Sequence, residues 1–216
     1  MRKIAIYAAG GFGREVLTLI NQINKSEESY EFIGFYDDGI SKGELVNGYK
    51  VLGGMEELNR VEDALDIVFA IGNPSSKQKV IKLVNNTNIN FPTLIHPNVI
   101  IGDINFVSIG KGTIITAGCI LTTNILVGDF VILNLGCTVG HDTKIGSYSS
   151  FMPSVNISGE VLIAEKVYVG TGAKIINQLE IGENAIIGAG AVVSKSIPPN
   201  CTAVGIPAKP IKFHEN

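Results

Sequence analysis

Residues 109–145 read IGKGTIITAGCILTTNILVGDFVILNLGCTVGHDTKI. Stepping by six from Ile109 lands on Ile115, Leu121, Val127, Leu133, Val139 and Ile145. The same step continues through Phe151, Ile157, Ile163, Val169, Ile175, Ile181, Ile187 and Val193. All fifteen positions from Ile109 to Val193 are large and apolar. A helix repeats at 3.6 residues and a strand at two, so neither explains a period of six. A hexapeptide period is that of a parallel β-helix, in which each hexad forms one flat side and a corner.

The residues around each large position fit that reading. Two before each stand Val107, Thr113, Cys119, Ile125, Val131, Cys137, Thr143, Ser149, Val155, Val161, Val167, Ala173, Leu179, Ala185 and Ala191, mostly small or β-branched. A tight coil interior needs a small neighbour beside each large side chain to fill space evenly. One residue after the large position, Gly recurs at 110, 128, 140, 146, 170, 182 and 188. The expectation is a corner of positive φ at these glycines. Three hexads make a triangular coil, so the stretch supplies five coils without insertion, a prism about 24 Å tall at the strand spacing. Ile101-Gly102 reads as an earlier hexad offset by two residues, which places a small insertion between 101 and 109.

The rest of the chain, 216 residues in all, has a different texture. Lys3 to Ala8 is a short apolar strand, and Gly10, Gly11 and Gly13 form a turn. Arg14 to Ile23 carries Val16, Leu17, Leu19, Ile20 and Ile23 at helical spacing. Phe32 to Tyr36 and Ile67 to Ile71 are further strands, and Ser75 to Val84 a helix. Alternating strand and helix predicts a small parallel sheet flanked by helices over residues 1–90. Asn85 to Asn90 reads as a linker, residues 91–216 as the β-helix domain, and Ala203 to Ile211 as a final extended segment.

Seventeen Lys and Arg against 20 Asp and Glu give a net charge of −3, which offers no basic field for nucleic acid. Three Cys without a CxxC pair point to a reducing compartment. Cys119 and Cys137 fall on small interior positions and read as core. The apolar run Ile4 to Ala9 is too short for a signal peptide, and the uncharged stretch Gly112 to Gly128 follows the six-residue rhythm. The expectation is a soluble, cytoplasmic protein without membrane insertion.

Two places can carry chemistry. Strand, Gly10-Gly11-Phe12-Gly13, then helix is a device for bringing backbone N–H groups to a phosphate. Asp37-Asp38 ends the next strand and Gly72-Asn73 the third, at the edge where such sheets bind ligands. A carboxylate there can hold a ribose or base, and a domain this small suits a nucleotide-sugar better than a dinucleotide. In the β-helix, His141 lies two positions after inward Val139, with Asp142 following. An imidazole can take a proton from an attacking amine or hydroxyl, and a carboxylate can fix its tautomer.

These elements together resemble the sialic-acid O-acetyltransferase-like family of hexapeptide-repeat sugar acyltransferases, which includes bacterial nucleotide-sugar N-acetyltransferases. The resemblance rests on Gly10-Gly11 before Arg14-Glu15-Val16, Asp37-Asp38, Ala70-Ile71-Gly72-Asn73, Ile95-His96-Pro97, Gly140-His141-Asp142, Ile187 to Val193 and Gly205-Ile206-Pro207-Ala208-Lys209. It implies a Rossmann-like domain followed by a left-handed β-helix; crossover handedness alone would favour the right hand. It implies that His141 is a general base polarised by Asp142, and that Gly10, Gly11, Phe12, Asp37, Asp38, Gly72 and Asn73 hold the sugar nucleotide. Asn134, Gly159, Thr171, Ala189 and the Gly205, Ile206, Pro207 and Lys209 segment would line the acetyl-CoA site. It also implies a homotrimer with the acyl donor between neighbouring prisms. The chain departs from the family where a second His often stands, here Ser150, and at Ala8, where a Gly usually begins the nucleotide turn.

The resulting expectation is acetyl-CoA-dependent acetylation of the amino group of a nucleotide-linked amino-deoxy sugar for cell-surface glycan synthesis. Transfer would be direct and without a metal. O-acetylation of a sialic acid or similar sugar, and a non-catalytic trimeric scaffold, are the alternatives.

Overall fold

A computed structural model describes residues 1–214 and divides the chain into two compact units. The first comprises residues 1–72 and 76–97, the second 73–75 and 98 onward.

The first unit is built on one sheet. Its strands are β1 (Arg2–Tyr7), β2 (Tyr30–Tyr36), β3 (Leu45–Val46), β4 (Tyr49–Gly53), β5 (Leu65–Phe69) and β6 (Ile89–Asn90), in the order β3-β4-β2-β1-β5-β6. All pairs are parallel except the β3–β4 hairpin. Ile4, Ala5, Ile6 and Tyr7 are all buried, as a central parallel strand covered on both faces requires. Helix α1 (Gly11–Ser26) buries Val16, Leu17, Leu19 and Ile20; α2 (Met55–Asn59) and α3 (Pro74–Ile81) are shorter. The expected elements are present within a few residues. The hairpin, α2 and β6 are additional. The expected linker Asn85 to Asn90 contains β6, which pairs with β5, so the unit boundary falls at 97/98 and not at 90/91.

The second unit is a parallel β-helix with three faces. Face one stacks Ile114–Ile115, Ile132–Leu133, Ser150–Phe151, Tyr168–Val169 and Ile186–Ile187. Face two stacks Ile120–Leu121, Thr138–Val139, Asn156–Ile157, Lys174–Ile175 and Val192–Val193. Face three stacks Ile125–Val127, Lys144–Ile145, Leu162–Ile163 and Glu180–Ile181. Partners on these faces are three hexads apart, as in Ile132↔Ser150. The exceptions lie at the two ends: Ile100↔Ile120 is two residues longer, where the one-turn helix Ile104–Phe106 supplies the expected insertion, and Ile186↔Thr202 and Ile181↔Ile197 are two residues shorter. Every large position from Ile115 to Val193 is buried, and so is every smaller partner from Val107 to Ala191 except Leu179. The chain does not end on one extended segment: Cys201–Val204 and Lys209–Phe213 form an antiparallel hairpin that extends face one.

The corners correct the expectation about glycine. None of Gly110, Gly128, Gly140, Gly146, Gly170, Gly182 and Gly188 has a positive φ. Positive φ occurs two residues later. Among the described residues it recurs every six positions through Gly112, Gly118, Asn124, Phe130, Gly136, Asp142, Tyr148, Ser154, Glu160, Lys166, Gly172, Gln178, Asn184 and Gly190. The seven glycines serve close approach instead. A Cβ on Gly146 would lie 2.5 Å from the Ala164 carbonyl carbon and the Glu165 nitrogen one coil on. The left-handed residue turns its N–H to the carbonyl of the coil before, as in Asp142 to Thr123 (3.1 Å) and Glu160 to His141 (2.7 Å). Each non-glycine there costs roughly 1–2 kcal/mol. Each hexad offsets this by burying two interior side chains, with about 1.5–3 kcal/mol for each large one.

Gly146→Ala should therefore push neighbouring coils apart. Over-packing costs about 1–3 kcal/mol, so the melting temperature should fall by roughly 2–12 °C. An unchanged Tm in a calorimetric scan would show that the close approach is not what selects glycine here.

Candidate active site

His141 and Asp142 occupy the corner that leaves face two. The backbone is held from both sides: Asp142 N–H donates to Thr123 O and His141 O accepts from Glu160 N–H. His141 Nδ1 lies 2.8 Å from Asp142 Oδ2, and Asn124 Nδ2 donates to Asp142 Oδ1 at 3.0 Å. The His141 and Asp142 side chains are 55% and 51% exposed, so the pair is open to a substrate. The bond to His141, then that from Asn124, hold the Asp142 carboxyl below its ordinary range, which keeps it ionised. With Nδ1–H donated to the carboxylate, Nε2 presents its lone pair and can take a proton.

Gly159 lies one coil beyond His141. A Cβ there would sit 2.5 Å from His141 Nε2 and 2.6 Å from Cε1. The absence of a side chain at 159 is what leaves room for the imidazole in this pose.

The other β-helix candidates surround face two. Thr171 and Ala189 stack one coil apart on the edge that enters this face, and Asn134 stands at the same edge on the His141 coil. Thr171 and Ala189 are exposed. Asn134 is buried, and its Oδ1 already accepts from Leu135 N–H at 2.7 Å. The Gly205 to Lys209 turn lies against the last strand of the face: Val192 N–H donates to Gly205 O at 3.1 Å and Ala208 N–H to Val192 O at 2.8 Å. Between the two edges, the outward side chains form a polar ladder in which Asn156 donates to Thr138 Oγ1 (2.9 Å) and Lys174 donates to Asn156. Ser150 lies on face one and is buried.

In the first unit, β1, β2 and β5 are neighbours, so their C-terminal tips adjoin. The α1 N-terminus begins at Gly10 without a side-chain cap and without an acidic residue in its first turn. Nothing lies within 4 Å of a Cβ on Gly10 or Gly72, and for Gly11 only the Arg14 guanidinium at 3.9 Å. Gly13 is tight instead, with a Cβ 2.0 Å from Ala8 O. Ala8 takes φ 80°, the left-handed region a glycine would occupy without strain. Asp37 accepts from Ala9 N–H (2.9 Å) and Gly39 N–H (2.8 Å); Asp38 accepts from Met55 N–H (2.8 Å) and the Tyr7 hydroxyl. The two carboxylates thus already tie the loops together, a role not expected from their positions alone. Burial, followed by the hydrogen bond to Asp38, raises the Tyr7 pKa. Asn73 is exposed and groups with the second unit.

Cys119, Cys137 and Cys201 are buried and free. Cys137 is pushed up by its neighbour Cys119 and by burial, which removes it as a nucleophile. Among the described residues, no group of three His, Cys, Asp or Glu is placed to hold a metal ion, and no helix is long and apolar enough to cross a membrane.

Comparison with known proteins matches a different family model to each end of the chain. Residues 3–84 match the PglD N-terminal domain and residues 160–195 the bacterial transferase hexapeptide repeats. GDP-perosamine N-acetyltransferase of Escherichia coli O157:H7 is 34% identical over 98% of this chain and 97% of its own. Among solved structures, an Asn-for-His variant of perosamine N-acetyltransferase from Caulobacter crescentus, in complex with CoA and GDP-perosamine, superposes with a TM-score of 0.90 at 26% identity over 98% of each chain. The acetyltransferase domain of PglB from Neisseria gonorrhoeae, in complex with acetyl coenzyme A, does so at 0.88 and 32% identity over 97% of this chain and 99% of that one. The two-unit architecture, the hexad frame and this full-length similarity place the chain in the hexapeptide-repeat β-helix family of sugar N-acetyltransferases.

Proposed function

We propose that this enzyme transfers the acetyl group of acetyl-CoA to the amino group of a nucleotide-linked amino-deoxy sugar, with His141 as general base. The observation that carries the reading is the His141–Asp142 pair, exposed over Gly159 on a locked corner. Nε2 takes a proton as the amine attacks the thioester carbonyl, and Asp142 orients the imidazole and stabilises its charge. A backbone N–H at the corner stabilises the oxyanion. Transfer is direct, in keeping with three buried cysteines. The full-length relatives are named N-acetyltransferases, which favours an amine over a hydroxyl acceptor.

The acyl donor lies along face two, against Asn134, Thr171, Ala189 and the Gly205 to Lys209 turn. The sugar nucleotide is held by the uncapped α1 N-terminus at Gly10, Gly11 and Phe12, with Asp37, Asp38, Gly72 and Asn73 around it. A homotrimer supplies the second wall of the donor site. The setting is the cytoplasm, where sugar nucleotides are made for surface glycans.

His141→Ala should keep the parental Tm and, on sedimentation, a trimer. Its kcat should fall by about 10²–10⁴, the usual worth of general-base catalysis. Near-parental turnover at neutral pH would mean that another group is the base. Gly159→Ala should displace the imidazole without removing it. Its kcat should drop by roughly an order of magnitude, a smaller loss than deleting the base, while KM for the sugar nucleotide stays within a few fold. A parental kcat would show that the ring has room elsewhere. Asp37→Ala removes a charge-assisted acceptor worth about 1.5–3 kcal/mol, so KM for the sugar nucleotide should rise roughly tenfold to hundredfold. KM for acetyl-CoA should hardly move; equal effects on both would place Asp37 outside the nucleotide site.

A further inference from the structure

We infer that Asn124 is a positioning residue for the reaction: its side-chain amide fixes the carboxylate that orients His141. Asn124 occupies the same corner as Asp142 one coil earlier, as the pairing of Leu121 with Val139 requires. Both residues are in the left-handed conformation, with φ 54° and 57°, so their side chains leave the corner in register. The result is a three-member chain. Asn124 Nδ2 donates to Asp142 Oδ1 at 3.0 Å, and Asp142 Oδ2 pairs with His141 Nδ1 at 2.8 Å. Occupying both oxygens fixes the plane of the carboxylate. A carboxylate held only by His141 would be free to rotate, because it is half exposed. The backbone reinforces the register, since Thr123 O accepts from Asp142 N–H at 3.1 Å.

An amide on a carboxylate also recurs further along this edge, where Gln178 Nε2 donates to Glu160 Oε2 at 3.2 Å. That pair has no histidine beside its carboxylate in the sequence, Glu160 being followed by Val161 and preceded by Gly159. It is a built-in control for any general effect of corner ladders. Asparagine suits the role at 124 because it tolerates the left-handed region and is short enough to reach only the next coil.

The inference rests on His141 being the base. The test uses the full chain and Asn124→Gly, which deletes the amide without adding strain at a positive φ. We expect kcat to fall roughly tenfold to hundredfold, the range for losing one hydrogen bond to a charged group. KM for either substrate and the Tm should stay near parental values, and Gln178→Gly should leave kcat unchanged. In an Asp142→Gly background, adding Asn124→Gly should cost nothing further in kcat, because the amide would have nothing to orient. Imidazole ¹⁵N NMR supplies a readout separate from turnover. With three histidines, the His141 signal is assigned by its loss in His141→Ala. In the parent the neutral ring should carry its proton on Nδ1, and in Asn124→Gly this tautomer should lose population. Parental kcat and tautomer in Asn124→Gly, additive losses in the Asp142→Gly background, or an equal loss in Gln178→Gly would each overturn the inference. Full activity of His141→Ala would instead overturn the proposed base, and so the two failures are separable.

Discussion

The β-helix depends on a hydrogen bond repeated at eleven successive corners. From Phe130 to Gly190, the third residue after each large apolar position adopts positive φ and donates its N–H to a carbonyl of the coil before it. Without that rotation the backbone ladder would stop at the end of each two-residue strand and leave a polar gap at every edge. With it, the ladder continues around the corner and the coils are drawn so close that a Cβ at several glycines would strike the next backbone. The conformational cost is spread along the whole stack and is outweighed by the continuous apolar interior.

The same constraint makes the edge a good place for chemistry. Most side chains at a corner reach solvent while the backbone beside them is bonded to the neighbouring coils. His141 is such a residue, exposed yet anchored through its own carbonyl and through the N–H of Asp142. The first unit solves a different problem by different means. It leaves the start of α1 bare and uses the Asp37 and Asp38 carboxylates to knit together the loops around it. One unit thus supplies backbone donors suited to phosphate, and the other supplies an ionisable pair suited to proton transfer.

The frame from Ile109 to Val193 was legible because one repeating contact sets it and no insertion interrupts it. His141, one of three histidines, with Asp142 beside it, and the Gly10-Gly11 turn stood out in the sequence as candidates by their places in the pattern. The role of the seven glycines was not, since close approach and positive φ select the same residue and only geometry separates them. The left-handed column was hidden because nine of its fourteen members among the described residues are not glycine. Phe130, Tyr148 and Lys166 carry no local sign of that conformation. Asn124 was hidden in the same way, although counting one coil back from Asp142 in the uninterrupted frame would have reached it. The β3–β4 hairpin and β6 are short, and their sequences lack the periodicity by which longer elements are recognised.

A two-residue excess between Ile100 and Ile120 and a two-residue deficit between Ile186 and Thr202 show that this architecture tolerates a change of length at its ends. Every residue proposed for catalysis lies between them. Within the uninterrupted frame, an insertion of one hexad would carry all later residues from one face of the triangle to the next, separating His141 from Gly159 or Asn124 from Asp142. Only a whole coil can be added without that rotation, and even a whole coil must enter above or below the site to leave it intact. The molecule is therefore graduated like a ruler. Its height can vary in units of one coil, while the composition of the active edge depends on an exact count along the chain.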